Sequence, residues 1–246
     1  MRSIPLRLCV CAAGLGLAFS AAGQVSSTFD TDLEGWAVYS DGHISHDPAF
    51  GNPAGAACMT DQGSGGYFGF LAPAAYRGDK SAYFGGTLTY DIHINNSTTA
   101  GPTQPDVVIT GSGITIVLDL PVPPGDQWDT REINLDSSAD WRINSLSGTS
   151  ATDEEIQIVL GDVTLLRIRG EFSTQTSDVT YLDNVLLAPG QGCAADTNHD
   201  GMLTPADFTA WIAAFNAGAP ECDQNDDDTC TPADFTAWIA NYNAGC

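Results

Sequence analysis

The chain has 246 residues and carries 31 Asp and Glu against 8 Lys and Arg, a formal charge of −23. So few cations exclude a basic surface for nucleic acid or for anionic lipid. With 43% hydrophobic and 16% charged residues the chain is no disordered polyanion, and its 26 Gly and 13 Pro mark a loop-rich β protein.

Residues 1–23 read as a secretory signal. Arg2 and Arg7 precede an apolar run from Leu8 to Phe19, and Ser20-Ala21-Ala22-Gly23 offers small residues for cleavage before Gln24. No other apolar stretch reaches the length of a membrane span. The expectation is therefore a secreted, extracellular protein without membrane insertion, in which disulfides can form.

Residues 26–188 are strand-like. Thr87–Ile94, Ile114–Leu120, Glu155–Leu160, Val163–Ile168 and Val179–Leu187 are rich in β-branched and aromatic residues, with turn clusters between them. The expected architecture is an antiparallel β-sandwich. His43, His46 and His93 are scattered and have no Ser or Cys arrangement beside them, so no catalytic constellation is recognised. Trp36, Tyr39, Trp128 and Trp141 are the aromatics available to stack on a sugar. Trp36 and Tyr39 are favoured, because they follow the opening Phe29-Asp30-Thr31-Asp32-Leu33-Glu34-Gly35.

Residues 189–192 form a short Pro-Gly link, and residues 193–246 change character. This segment has nine Asp or Glu and no Lys or Arg. It also repeats itself. Thr204–Gly218 and Thr231–Gly245 agree at thirteen of fifteen positions with a period of 27, the mark of a duplicated supersecondary unit. An oxygen-rich loop precedes each copy. The first places Asp196, Asn198, Asp200, Thr204 and Asp207 at positions 1, 3, 5, 9 and 12, with Gly201 at 6 and the carbonyl of Met202 at 7. The second places Asp223, Asn225, Asp227, Thr229, Thr231 and Asp234 in the same register, with Asp228 at position 6. That spacing wraps one loop around a calcium ion, a hard cation that takes six to eight oxygens. Thr204 and Thr231 are N-caps ahead of Pro205 and Pro232. Phe208, Trp211, Ile212 and Phe215, and their mates Phe235, Trp238, Ile239 and Tyr242, form the apolar faces expected to pack together.

The C-terminal half resembles the dockerin type I domain, two loop–helix repeats without the entering helix of a full EF-hand. The resemblance implies calcium-dependent folding and docking onto a cohesin-like or other extracellular protein. Pro-Ala after loop position 9 and the absence of basic residues on the helices depart from the cellulosomal pattern. Four Cys can pair in three ways; Cys193 with Cys246 and Cys222 with Cys230 suits a pseudo-twofold repeat pair, and cysteine-ligated zinc is the weaker competitor.

The large domain resembles the laminin B (laminin IV type A) module. The residues that carry this are Gly66-Tyr67-Phe68 through Ala72-Pro73-Ala74, Tyr76-Arg77-Gly78-Asp79-Lys80, Tyr83 to Tyr90, Trp141-Arg142, Leu165 to Arg169 and Tyr181 to Val185. The resemblance implies a jelly-roll sandwich of the galactose-binding-like kind and no reaction. In related sandwiches an acid such as Asp183 joins an N-terminal-loop acid, here Asp30 or Glu34, around a structural calcium. The whole chain thus reads as mainly β, a sandwich followed by a small all-α calcium-binding helix pair. Its expected function is non-catalytic adhesion or ligand binding. The alternative is an accessory carbohydrate-binding component of extracellular polysaccharide breakdown, and a glycoside hydrolase ranks last.

Overall fold

The computed structural model describes residues 23–62, 67–95, 103–172, 179–190, 194–198, 203–225, 227 and 229–244. The expected signal segment up to residue 22 lies outside them. The strands are β1 (Val25–Ser27), β2 (Ala37–Ser40), β3 (Gly42–Gly51), β4 (Ala54–Asp61), β5 (Phe68–Leu71), β6 (Thr87–Asn95), β7 (Val107–Gly111), β8 (Ile114–Leu118), β9 (Asp129–Asn134), β10 (Arg142–Ile143), β11 (Val163–Arg169) and β12 (Val179–Ala188). Helix α1 (Asp153–Leu160) precedes β11, and α2 (Pro205–Ala217) and α3 (Pro232–Ala244) close the chain.

The strands form two antiparallel sheets. One runs β3-β4-β12-β6-β9, with β1 also paired to β12; the other runs β10-β8-β7-β11-β5-β2. The core lies between them because alternate residues of each strand face inward. Met59, Ile92, Ile94 and Leu182 from the first sheet meet Phe68, Phe70, Leu166 and Ile168 from the second, all buried. This is a β-sandwich, as the strand runs predict.

Glu155–Leu160 departs from the expectation and forms helix instead of strand. The Thr152 hydroxyl accepts a hydrogen bond from the Glu155 amide, and the Glu155 carboxylate accepts one from the Thr152 amide. That reciprocal cap, with Asp153, Glu154 and Glu155 in the first turn, satisfies the amides a helix start leaves open. Ile156, Val159 and Leu160 then share one buried face while Ile158 points to solvent, so the period is helical.

The C-terminal repeats have their own small core of Ala195, Trp211 and Trp238, with Leu203, Phe208, Phe215 and Tyr242 packed on it. The rings of the two helices interleave: Phe208 lies 5.1 Å from Trp238 and 5.7 Å from Phe235, centroid to centroid. The expected packing face is corrected at two positions, since Ile212 and Ile239 are each exposed at 41%, while Phe235 keeps its ring contacts with Phe208 and Trp211. Ile212 and Ile239 follow the inward Trp by one residue, which turns them about 100° away around the helix.

Candidate functional site

On β11 the apolar residues Leu166 and Ile168 face the core, so Arg167 and Arg169 face outward. Arg167 stands opposite Leu71 of β5 and Val108 of β7, and Arg169 stands opposite Gly69 of β5, which in turn faces Tyr39 of β2. The outer face of the second sheet thus carries Arg167 and Arg169 of β11 and Tyr39 of β2, with Tyr67 just ahead of β5. The Arg167 guanidinium lies over the Tyr39 ring at 5.2 Å and the Tyr67 ring at 5.7 Å. Both contacts support a cation through the ring quadrupole. Gly69 leaves room for the Arg167 stem. A Cβ there would sit 3.1 and 3.2 Å from its Cγ and Cδ and 2.7 Å from the Ile168 carbonyl oxygen.

The two arginines differ in how they are satisfied. Arg169 donates to the Glu171 and Gln104 carbonyls, pairs with Asp106 at 3.4 Å and lies over the Phe172 ring at 4.4 Å. Arg167 donates one long bond, 3.4 Å, to the Pro105 carbonyl, and its Nε is buried without an acceptor. Burial pushes its guanidinium below the usual range, and the neighbouring Arg169 pushes the same way. Gln104 Oε1 is also buried without a partner.

Of the aromatics favoured for sugar stacking, Tyr39 is on this face and Trp36 is not. Trp36 is 3% exposed, packs edge-on against Phe29 and Tyr76, and donates its indole N–H to Ser27. The expectation for Trp36 is corrected: it is a core residue. Trp141 is likewise buried, bonded to the Asn134 carbonyl. Trp128 lies outside the first sheet in a cluster with Phe50, His93 and Tyr181. Tyr67 and Arg167 fall within the stretches that resemble the laminin B module, and their local sequence marks neither for a ligand. The available signal was two Arg at alternate strand positions in a chain with 8 cations.

Of the acids expected around a structural calcium, Asp30 lies near enough to Asp183 for its charge to act on that carboxyl. Glu34 accepts the amides of Thr28 and Phe29, and Asp183 accepts the amides of Asn52 and Asn184 at 2.6 and 2.7 Å. No three His, Cys, Asp or Glu side chains among the described residues form an ion-holding group. Burial pushes Asp183 up to about 6, and the charges of Asp91 and Asp30 add to this. Asp91, opposite it on β6, accepts from Asn52, Asn184 and Thr130 side chains.

In the C-terminal segment Asp200, Gly201, Met202, Asp228, Cys193 and Cys246 lie outside the described residues. The remaining loop residues fold inward on their own backbone. Asp223 and Asn225 both accept the Asp227 amide, which brings positions 1 and 3 to one point. Asp227 accepts the amide and hydroxyl of Thr229, and these bonds hold its carboxyl below the usual range. Asp207 and Asp234 are fully buried. Each accepts its N-cap Thr amide and one loop amide, from Asn198 and Gln224 respectively. The donor set is all oxygen, and the segment has no Lys or Arg to neutralise it, chemistry that fits calcium. The Trp211 indole donates to the Cys222 carbonyl and the Trp238 indole to the Ala195 carbonyl, so each helix ties down the entrance of the other repeat's loop. Cys222 and Cys230 form the expected disulfide across the second loop, and Cys58 is a free, buried thiol.

These features define an antiparallel sandwich with a cation–aromatic outer face, joined to a repeat pair of acidic loops and helices. A family model for Laminin B (Domain IV) matches residues 69–201, more than half of the chain, and the protein belongs to that family. Human laminin subunit gamma-1 is 27% identical over 202 residues, covering 76% of this chain and 12% of the relative. The mouse basement membrane-specific heparan sulfate proteoglycan core protein is 35% identical over 112 residues, 44% of this chain and 3% of its own. The chain therefore spans a small part of the curated relatives it matches. Among solved structures, the family 11 carbohydrate-binding module of a Clostridium thermocellum cellulosomal cellulase aligns with a TM-score of 0.45 and 18% identity, covering 69% of this chain and 96% of the module. The L4b domain of human laminin alpha-2 aligns with a TM-score of 0.44 and 19% identity, covering 50% of this chain and 70% of that domain.

Proposed function

We propose that the protein is an extracellular, non-catalytic module. Its laminin B sandwich binds carbohydrate on the outer face of the second sheet, and its C-terminal repeats bind calcium and dock onto another extracellular protein of the cohesin kind. The observation that carries the carbohydrate reading is the Tyr39–Arg167–Tyr67 arrangement. Aromatic faces stack on sugar rings and a guanidinium supplies hydrogen bonds to their oxygens. Family membership supports the extracellular setting, and no helix among the described residues is long and apolar enough to cross a membrane.

In the calcium reading, Asp196, Asn198, Asp200, Thr204 and Asp207 with the Met202 carbonyl hold one ion. Asp223, Asn225, Asp227, Thr231 and Asp234 with the Thr229 carbonyl hold the other. Bound calcium supplies the positive charge that the segment lacks. The exposed Ile212 and Ile239, equivalent in the two repeats, suit the docking surface.

A glycan array probed with the full chain tests the carbohydrate reading. Binding to a restricted set of glycans, reduced at least tenfold by Tyr39→Ala at unchanged thermal midpoint, is expected. A chain that binds no glycan, or a variant that binds as well as wild type, overturns it.

A further inference from the structure

Among the described residues, Arg167 is a buried cation without a counterion. It is 5% exposed, and none of the ion pairs among the described residues involves it. Taking a guanidinium out of water is costly unless its N–H groups find acceptors. Two residues along the strand Arg169 meets that condition with Asp106 and two carbonyls. Arg167 has one long bond, a buried Nε with no acceptor, and two tyrosine rings. The rings cover the guanidinium as a π-cation, and apart from the long bond to Pro105 its in-plane N–H groups have no acceptor among the described residues. Those N–H groups match the two oxygens of a carboxylate in a parallel fork. Gly69 leaves open the space that the Arg167 stem occupies. In a chain with 31 acids, such a position would be filled by an internal Asp or Glu if charge balance were its purpose.

We propose that Arg167 is the anion-receiving group of this face, and that the ligand is a saccharide carrying a carboxylate, a uronic acid residue, whose ring stacks on Tyr39 or Tyr67. This inference rests on the carbohydrate reading above and specifies its ligand.

The test uses the full chain and three probes: trigalacturonate, the neutral trigalactose made by reducing its carboxyls, and a monosulfated trigalactose. Calorimetry is expected to show trigalacturonate binding at least tenfold tighter than trigalactose. Arg167→Lys, which keeps the charge and loses the fork, is expected to remove most of that preference, and Arg167→Gln all of it. Thermal midpoints separate this role from a structural one. Arg167→Gln is expected to melt no lower than wild type, and trigalacturonate is expected to raise the midpoint of wild type alone. Equal binding of acidic and neutral probes, a preference that survives Arg167→Gln, or an Arg167→Gln variant that melts well below wild type overturns the proposal. Preference for the sulfated probe over trigalacturonate overturns the carboxylate assignment. If trigalactose binds and trigalacturonate does not, the carbohydrate reading stands and this inference fails. If no probe binds and the array is also blank, both fail.

Discussion

Asp183 and Gly69 show how single positions on the two outer faces carry opposite burdens. Asp183 is a buried carboxyl whose pKa is pushed up to about 6 by burial, aided by the charges of Asp91 and Asp30. The folded state therefore holds its proton more tightly than the unfolded chain, where Asp titrates near 4. The stability it contributes is fully present below about pH 4 and is lost as pH rises through about 6. In the presence of a chelator, the midpoint of the sandwich should rise as pH falls from 7 to 5. An Asp183→Asn variant should show a flatter profile across the same window. A scan in which both respond alike would refute this. At Gly69 the constraint is space. A Cβ would press to 2.7 Å from the Ile168 carbonyl and against the Arg167 stem. Gly69→Ala should cost about 1–3 kcal/mol by crowding, read from urea midpoints, and should weaken saccharide binding as well.

At the scale of elements, α1 exists because of its cap. Its eight residues are too short to be stable alone, and its β-branched residues favour strand. The Thr152–Glu155 exchange and the buried Ile156–Val159–Leu160 stripe override that preference. Thr152→Ala should lower the stability of the sandwich by about 1 kcal/mol, measured by chemical denaturation. No change in midpoint would show that packing alone holds the helix. In α2 and α3 the caps are doubled by chemistry. Asp207 and Asp234 each accept the N-cap amide and an amide from the loop, so one carboxylate fastens loop to helix. The inward Trp211 and Trp238 then exchange hydrogen bonds with the opposite repeat, which makes the pair a single unit.

The described residues form two hydrophobic clusters, one between the sheets and one between α2 and α3. The second is small and surrounded by acids without cations, so its compact state is opposed by charge repulsion. A ligand that binds the folded form stabilises it by mass action. Calorimetric melting in calcium and in chelator should show the C-terminal transition dropping by ten degrees or more while the sandwich transition stays in place. The Cys222–Cys230 disulfide restrains the second loop in both states, so the drop should be larger after reduction. A C-terminal transition indifferent to chelator would remove calcium from the account.

Much of this organisation is encoded by near neighbours. The 27-residue repeat, the Thr-Pro N-caps and the alternation in β6, β11 and β12 are local patterns, and the structure forms helices and strands where they predict them. A capping box, also local, was present at Thr152 and Glu155, yet the run of Ile, Val and Leu concealed it. Which residues share a site depended on strand pairing instead. Trp36 and Tyr39 stand three positions apart in one segment, but the pleat of β2 and its register with β5 send one into the core and the other beside Arg167. Asp30 and Asp183 are distant in the chain, and only the fold brings their charges together, with backbone amides from separate segments on oxygens of Glu34 and Asp183. Local periodicity determines which elements form. The pairing of strands distant in the chain decides which side chains meet, because sheet register is a property of two strands at once.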